Sequence, residues 1–410
     1  MKVLIFLPYF THGGAEKQGA LLARRLVSLG HEVEAWAFAT PNANASFRQE
    51  LSDIGIRCRE LPVVPDLVWG KVGERLGLRT RLRRALEWRR QVATLAQTLP
   101  VGRFDVLVPF TFLPSTLAAL CRNQLGAAVT LWNHRGGYDA AGVEYSEFLV
   151  RQITRARPVF VANSAPGCRF LSDTFHLPRT AVHLVQNFVT PSSVSKAAPP
   201  TDHTCQLVHV ANLFPEKDLS TVLQALRLLK DRGVTCHLHV AGTFPGVGQE
   251  QQFHQDVGHL DLHGFVTHHG GLAPDATQAL IAQCDVGLLS SRSEGCPNSV
   301  LEYMQAGLPV IGTRIEGIAE LVGEAGAPFL FQCGDATELQ TLLERLILNR
   351  ELREQLGRAN QRRLVAAYNP DVALAQWLML LVPQHKRCPI VPATLASENA
   401  PQKLPRPAPH

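Results

Sequence analysis

The chain has 410 residues, about three times the commonest length of a single domain, so two domains are expected. Hydrophobic residues make up 46% and charged residues 18%, a balance that excludes a disordered, collagenous or coiled-coil protein. The net charge of +5 is too small to indicate nucleic-acid binding, and an odd number of cysteines without a Cys-x-x-Cys pair favours reduced thiols in a cytosol.

The first part of the chain predicts alternating strands and helices. A continuous apolar run over 3–7 is typical of a parallel strand covered on both faces, and a helical rhythm over 15–29 follows it. Further strands are predicted at 31–37, 106–109, 129–132 and 159–162. Strand–helix–strand units with short connections are typical of a doubly wound sheet, so residues 1–190 predict an N-terminal Rossmann-like domain.

The same alternation restarts in the second part of the chain. Residues 191–204 are rich in Pro, Ser and Ala and have little to bury, which predicts a linker. Residues 205–370 predict a second Rossmann-like domain, with strands at 207–211, 237–241, 286–289 and 309–311. An apolar helical stretch, 371–385, is expected to return to the first domain, and the Pro-rich residues 386–410 are expected to form a disordered tail.

The segment 288–313 carries the clearest chemical pattern. Seven residues separate Glu294 from Glu302, and Glu294 lies in a loop at the carboxyl end of a predicted strand, where open α/β sheets bind ligands. A helix begins between the two carboxylates, and its free amides predict a phosphate site. These amides belong to Asn298, Ser299 and Val300. Carboxylates flanking an anion are suited to accept hydrogen bonds from hydroxyl groups of a sugar and a ribose.

This segment carries a family resemblance. The sequence Glu294-Gly-Cys-Pro-Asn-Ser-Val-Leu-Glu302, followed by Ala-Gly-x-Pro-Val, resembles the signature of retaining glycosyltransferases of the family-4 type, which have the GT-B fold. The resemblance extends from Met1 to about Tyr368. It implies an α/β protein with two Rossmann-like, doubly wound parallel-sheet domains that face a central cleft. It also implies that Glu294 contacts the transferred sugar and that Glu302 holds the ribose of the nucleotide.

A second segment, 207–219, resembles the family's donor-domain segment after the first strand. Lys217 falls on the lysine that neutralises the diphosphate, where a fixed ammonium offsets the charge that develops as the nucleoside diphosphate leaves. Asn212 replaces the family's arginine and can donate hydrogen bonds without carrying charge. Arg292, in the neighbouring loop, is expected to compensate for that lost charge.

Two positions in the first domain complete the predicted site. Gly13 and Gly14, between the first strand and the first helix, resemble the family's glycine-rich loop, where the backbone approaches a phosphate or the acceptor. The loop matches neither the dinucleotide fingerprint nor a Walker A motif. His134 follows a strand, as does a family histidine near the reactive face of the sugar, and an ordinary loop histidine is the alternative. The predicted catalytic residues are therefore Glu294 and His134.

The sequence does not predict a metal site. His237 and His239 share one face of a strand, and His268 and His269 are adjacent, but no Cys or carboxylate stands nearby at ligand spacing. Lys217 and a helix terminus can stabilise a diphosphate without an ion. We therefore expect no cofactor apart from the nucleotide-sugar co-substrate.

The segment 71–90 is strongly basic, with Glu74 and Glu87 as its acidic residues. A basic amphipathic helix of this kind can lie on an anionic lipid surface, and a solvated helix covering its own domain is the alternative. Membrane contact would suit a lipid-linked acceptor. We therefore expect a cytoplasmic protein that is peripheral to the inner face of the cell membrane.

Together these features predict a retaining, metal-independent glycosyltransferase. The resemblance implies transfer of a hexose or N-acetylhexosamine from a nucleoside-diphosphate sugar to a glycan or lipid-linked acceptor, in the synthesis of cell-envelope polysaccharide or lipopolysaccharide. The donor would bind the second domain and the acceptor the first, without nucleic acid. Two alternatives stay open: a nucleotide-sugar 2-epimerase of the same fold, and a non-catalytic nucleotide-sugar-binding protein, which the uncharged Asn212 would suit.

Overall fold

The computed structural model describes residues 1–40, 45–62, 104–136, 147–190 and 204–382, with isolated positions between 83 and 102. Nearly all of the predicted linker, 191–204, lies outside the described residues. The predicted tail, 386–410, also lies outside them, as does the basic segment, 71–90, apart from isolated positions.

The N-terminal sheet has seven described strands, and all of its strand pairs are parallel, in the order β3-β2-β1-β4-β5-β6-β7. The strands are β1 Lys2–Tyr9, β2 Glu32–Phe38, β3 Arg57–Leu61, β4 Val106–Pro109, β5 Val129–His134, β6 Val159–Ala162 and β7 Val182–Leu184. The described helices around them are α1 Gly14–Ser28, α2 Ala45–Asp53, α3 Phe112–Leu120, α4 Arg122–Leu125, α5 Glu147–Arg155 and α6 Ala165–Thr174. Val3, Leu4 and Ile5 are fully buried, as expected for a central strand with helices on both faces.

The C-terminal sheet has six described strands, also parallel, in the order β10-β9-β8-β11-β12-β13. The strands are β8 Cys205–Val210, β9 Cys236–Ala241, β10 Val266–His268, β11 Val286–Leu289, β12 Val310–Thr313 and β13 Leu330–Phe331. The described helices are α7 Leu219–Asp231, α8 Val247–His259, α9 Pro274–Gln283, α10 Asn298–Gln305, α11 Glu316–Gly326, α12 Ala336–Leu348, α13 Arg350–Ala367 and α14 Pro370–Leu381.

These two sheets confirm the predicted fold class. In each sheet the strand order reverses beside the first strand, between β1 and β4 and between β8 and β11. Ligands of open α/β sheets bind outside the carboxyl ends of the strands at such a switch point. A ligand is therefore expected to contact the loops after β1, β8 and β11, and the sequence motifs lie in these loops.

The final helix, α14, packs on the N-terminal domain. Trp377, Leu380 and Leu381 are at most 5% exposed and belong to the core cluster that also contains Val3 and Ile5. Among the described residues, Arg350–Leu381 is long and apolar enough to pass as a membrane span by length and composition. It consists of two helices, because the Asn369 side chain accepts a hydrogen bond from the Asp371 amide and caps a new helix there. The break divides the apolar stretch, and one face of α14 is buried in the core of the N-terminal domain.

Candidate active site

The loop after β11 lies against the first domain. A Cβ atom at Gly295 would come within 2.6 Å of both Asn163 Oδ1 and Gly136 O, which follow β6 and β5. The backbone therefore passes between the domains at a point with no space for a side chain. This close approach places Glu294, the preceding residue, beside the gap between the two sheets.

Glu294 is held by its own domain. Its Oε1 accepts hydrogen bonds from Lys217 Nζ at 2.5 Å and from Ser291 Oγ at 2.7 Å. Lys217 ends a short 3-10 turn after β8, and Ser290 Oγ donates to its backbone carbonyl at 2.5 Å. The side chains of Lys217 and Glu294 are 17% and 15% exposed. The structure thus joins two residues that the sequence assigned to separate tasks, and each neutralises the other's charge.

Glu302 is held by the opposite domain. It lies in the second turn of α10, is 6% exposed, and accepts a hydrogen bond from Lys17 Nζ at 2.5 Å through Oε1. Lys17 comes from α1, and the sequence analysis did not single it out. The ion pair bridges the domains and engages the carboxylate that the family resemblance assigns to a ribose.

The start of α10 meets the start of α1. Asn298 Nδ2 donates to Gly14 O at 2.9 Å, while Asn298 Oδ1 accepts from Gln18 Nε2 at 3.1 Å and from Asn187 Nδ2 at 2.8 Å. The first amides of a helix, here those of Asn298, Ser299 and Val300, have no acceptor within the helix. Because two helix N-termini approach each other here, their partial positive charges favour an anion between them.

The glycine-rich loop encloses a buried acid. Gly13 precedes α1, and a Cβ atom there would overlap the carboxylate of Glu16. Glu16 is 7% exposed, and burial raises its pKa to about 7, although hydrogen bonds from the backbone amides of Glu16 and Tyr9 oppose that rise. Glycine at position 13 is therefore needed for Glu16 to fold back onto the start of its helix.

His134 ends β5, and its ring stacks on Phe170 with centroids 4.8 Å apart. The adjacent Arg135 donates from Nη1 to Val185 O and to Asn187 Oδ1, each at 3.1 Å. Its Nε and Nη2 atoms are buried and have no hydrogen-bond partner among the described residues, and burial lowers the pKa of Arg135. Within the described part of the chain, a cation with two unpaired nitrogen atoms thus lies beside the predicted histidine.

Asn187 links Arg135 by hydrogen bonds to the C-terminal side of the interdomain gap. Its Nδ2 donates to Cys296 O at 2.6 Å as well as to Asn298, while its Oδ1 accepts from Arg135. Asn187 is 5% exposed. It lies in an irregular segment after β7, where no periodicity or motif distinguishes it in the sequence.

Two residues that the sequence predicts to bind the donor, Arg292 and Asn212, lie on the surface of the protein. Arg292 is exposed, and its Nη2 is 3.3 Å from Asp218 Oδ2, one residue after Lys217. Asn212 is exposed in the loop after β8. Both are close in sequence or space to Lys217, and their contact with a phosphate stays a prediction.

Two family models match the chain in succession. Glycosyltransferase Family 4 matches residues 12–193, and Glycosyl transferases group 1 matches residues 195–363. The chain therefore belongs to the family-4-type glycosyltransferases with the GT-B fold, as predicted, and the retaining course of the reaction stays a prediction.

Individual relatives add detail. The chain is 26% identical over 179 residues to the lipopolysaccharide core biosynthesis glycosyltransferase LpsE of Rhizobium meliloti, covering 42% of this chain and 52% of that protein. It is 30% identical over 156 residues to the sulfoquinovosyl transferase SQD2 of Arabidopsis thaliana, covering 37% and 28%. The chain thus spans about half or less of the length of these curated relatives.

Solved structures extend the likeness of fold to nearly the whole chain. HepE of Anabaena, in complex with UDP and glucose, superposes with a TM-score of 0.71 at 18% identity, covering 92% of this chain and 98% of that one. At this identity the likeness concerns the fold, and the roles of individual residues stay predictions.

Proposed function

We propose that this protein transfers a sugar from a nucleoside-diphosphate sugar, bound at the start of α10, to a glycan or lipid-linked acceptor on the first domain. One observation carries the proposal: Glu294 and Glu302 lie on either side of the first turn of α10, and each carboxylate is engaged by a lysine. A nucleoside-diphosphate sugar matches this arrangement. Its diphosphate suits the lysines and the helix amides, and the hydroxyl groups of its sugar and ribose suit the carboxylates.

Binding of the donor would exchange the partners of these side chains. The diphosphate would take the amides of Asn298, Ser299 and Val300 and the ammonium group of Lys217. Glu294, released from Lys217, would accept hydrogen bonds from hydroxyl groups of the sugar. Glu302 would exchange Lys17 for the ribose. Each carboxylate keeps a partner throughout, so neither of the two largely buried carboxylates is left uncompensated.

The transfer step follows from the position of the cations. As the bond between the sugar and the phosphate breaks, negative charge collects on the leaving oxygen, where Lys217 stabilises it. The acceptor hydroxyl attacks from the same face, forms the new C–O bond and gives its proton to that phosphate oxygen, so the configuration is retained. Glu294 and His134 would position the sugar. The positive charge that this step needs comes from Lys217 and the helix N-termini, which supports a metal-independent reaction.

The cell envelope is the proposed setting. LpsE is named for lipopolysaccharide core biosynthesis, and the solved HepE complex contains UDP and glucose. The glucose of the HepE complex supports a hexose donor, with an N-acetylhexosamine as the other proposed donor, and the name of LpsE supports a polysaccharide or lipopolysaccharide product. No disulfide joins the cysteines within the described part of the chain, which is consistent with a cytoplasmic enzyme whose basic segment, 71–90, contacts the inner face of the membrane.

The test is incubation of the whole chain with a panel of UDP-, GDP- and ADP-sugars and acceptors, analysed by mass spectrometry. Release of nucleotide together with a product heavier by one sugar supports transfer. Conversion of the donor without a change in mass would instead indicate the 2-epimerase. Donor binding without turnover of any acceptor would indicate the binding protein. Glu351→Gln, an exposed change on α13, serves as the matched control for variants of Glu294.

A further inference from the structure

Three side chains of the kinds that bind metals converge at the β10 edge of the C-terminal sheet. Glu250 and His254 lie one turn apart on α8, and His268 ends β10. Their potential ligand atoms all lie within 4.8 Å of one another, and Glu250 Oε1 is 3.6 Å from His268 Nδ1. The glycosyltransferase site described above uses none of these residues.

His268 is held in the orientation of a ligand. Its Nε2 lies 3.0 Å from Gly242 O, and because a carbonyl oxygen only accepts, this nitrogen carries the proton. In the neutral ring, Nδ1 then presents a lone pair toward Glu250. The rings of Phe244 and Phe253 contact the imidazole edge-on at 5.2 and 5.8 Å, and the side chain is 8% exposed. A backbone carbonyl that fixes the other ring nitrogen is the usual support of a metal-binding histidine.

The two helical residues can adjust to the fixed one. Residues i and i+4 of a helix share a face, so Glu250 and His254 both point toward His268. A tetrahedral zinc ion with ligands at about 2.0–2.1 Å separates its ligand atoms by about 3.4 Å. The separation of 3.6 Å between Glu250 and His268 already matches this geometry. His254 is exposed and the side chain of Glu250 is 47% exposed, so both have room for the small rotations that would bring the third ligand atom in.

We propose that Glu250, His254 and His268 bind a divalent cation of the zinc type, with water completing the coordination. Two imidazoles and one carboxylate suit zinc, whereas magnesium and calcium prefer sites made of oxygen. The bound ion would tie α8 to the carboxyl end of β10. Sequence spacing concealed the set, because Glu250 and His254 precede His268 by 18 and 14 residues, and only the packing of α8 beside β10 brings the three side chains together.

Calorimetric titration of the full chain with Zn²⁺ alone tests the site. The wild type should bind one equivalent at this site, and the double variant Glu250→Gln/His254→Gln should bind it at least tenfold more weakly. His269→Gln is the matched control, because it removes a histidine that contacts His239 at 2.9 Å and leaves the three proposed ligands intact. Loss of binding in the control with retention in the double variant would overturn the proposal.

Two further readouts separate the proposed ligands from cysteine and from misfolding. Bound Co²⁺ should show visible d–d bands without a thiolate-to-cobalt charge-transfer band, and such a charge-transfer band would refute the assignment. Zn²⁺ should raise the melting temperature of the wild type and of His269→Gln but not that of the double variant. Equal melting temperatures without the ion would show that the double variant folds, whereas equal rises in all three proteins would contradict the proposal.

Discussion

The residues on the two sides of the interdomain gap differ in how close together they lie in the sequence. On the C-terminal side, Lys217, Glu294 and Glu302 come from two short segments directly after β8 and β11. On the N-terminal side, Lys17, Arg135 and Asn187 come from three separate regions. A nucleotide diphosphate presents a fixed chemistry, so a compact motif can bind it. The residues on the side of the first domain are brought together only by tertiary structure, which would suit the proposed role of that face in binding a particular acceptor.

The largest effect should come from the C-terminal side. Glu294→Ala removes the carboxylate that would position the sugar and should lower the transfer rate by about 10²–10³-fold or more. The rate is measured as nucleotide release in the presence of acceptor, with Glu351→Gln as the control. A thermal melt checks that the variant folds, since the substitution also leaves Lys217 without its ion-pair partner. A folded variant with wild-type turnover would remove Glu294 from the catalytic site.

On the N-terminal side, the buried Glu16 should make stability depend on pH. Its pKa is raised in the folded state from 4.5 to about 7, so the protonated form favours folding. This contribution is fully present below pH 4.5 and is lost as the pH rises through 7. Between pH 5 and 8 the wild type should lose about 2–3 kcal/mol of unfolding free energy relative to Glu16→Gln, which stays neutral.

Urea unfolding of both proteins at the two pH values gives the comparison. Other titrating groups are common to both proteins and cancel in the difference. Glu16→Gln should therefore gain stability over the wild type at pH 8. Parallel pH dependences in the two proteins would mean that Glu16 is already ionised at pH 5, and would contradict its burial as the dominant influence on its pKa.

The contrast between local motifs and contacts made by tertiary structure also explains which parts of the fold and the site could be predicted from the sequence. Apolar runs such as 3–7 and 286–289 predicted central strands because burial on both faces leaves a continuous pattern. The strand Arg57–Leu61 gave no such signal, since it lies at the sheet edge and is mostly exposed. Lys17 was likewise concealed, because a lysine in the first turns of an amphipathic helix usually faces solvent. Its contact with Glu302 depends on how the two domains meet.

Lys217 should contribute more to nucleotide affinity than Lys17, the lysine of the first domain that engages Glu302. Lys217→Ala removes a charge-assisted contact with the diphosphate and should weaken binding of a nucleoside diphosphate by about 1.5–3 kcal/mol. Calorimetric titration of UDP and GDP measures the change. Lys230→Ala is the matched control, because Lys230 also forms an ion pair, with Asp261 at 2.7 Å, on the same domain. Equal affinities of Lys217→Ala and the control would argue against a phosphate contact.

Substitution of Lys17 should change nucleotide affinity the least, and the direction of the change shows whether Lys17 contacts the nucleotide. The Lys17 side chain is 26% exposed, and its ammonium group engages the carboxylate that is proposed to bind the ribose. Lys17→Ala should therefore leave nucleotide affinity unchanged or tighten it by up to about 1 kcal/mol, since a partly exposed ion pair is weak and the ribose need no longer displace it. The same titration with Lys230→Ala as control measures this. Weaker binding would mean that Lys17 itself contacts the nucleotide, and the first domain would then belong to the donor site as well as to the acceptor site.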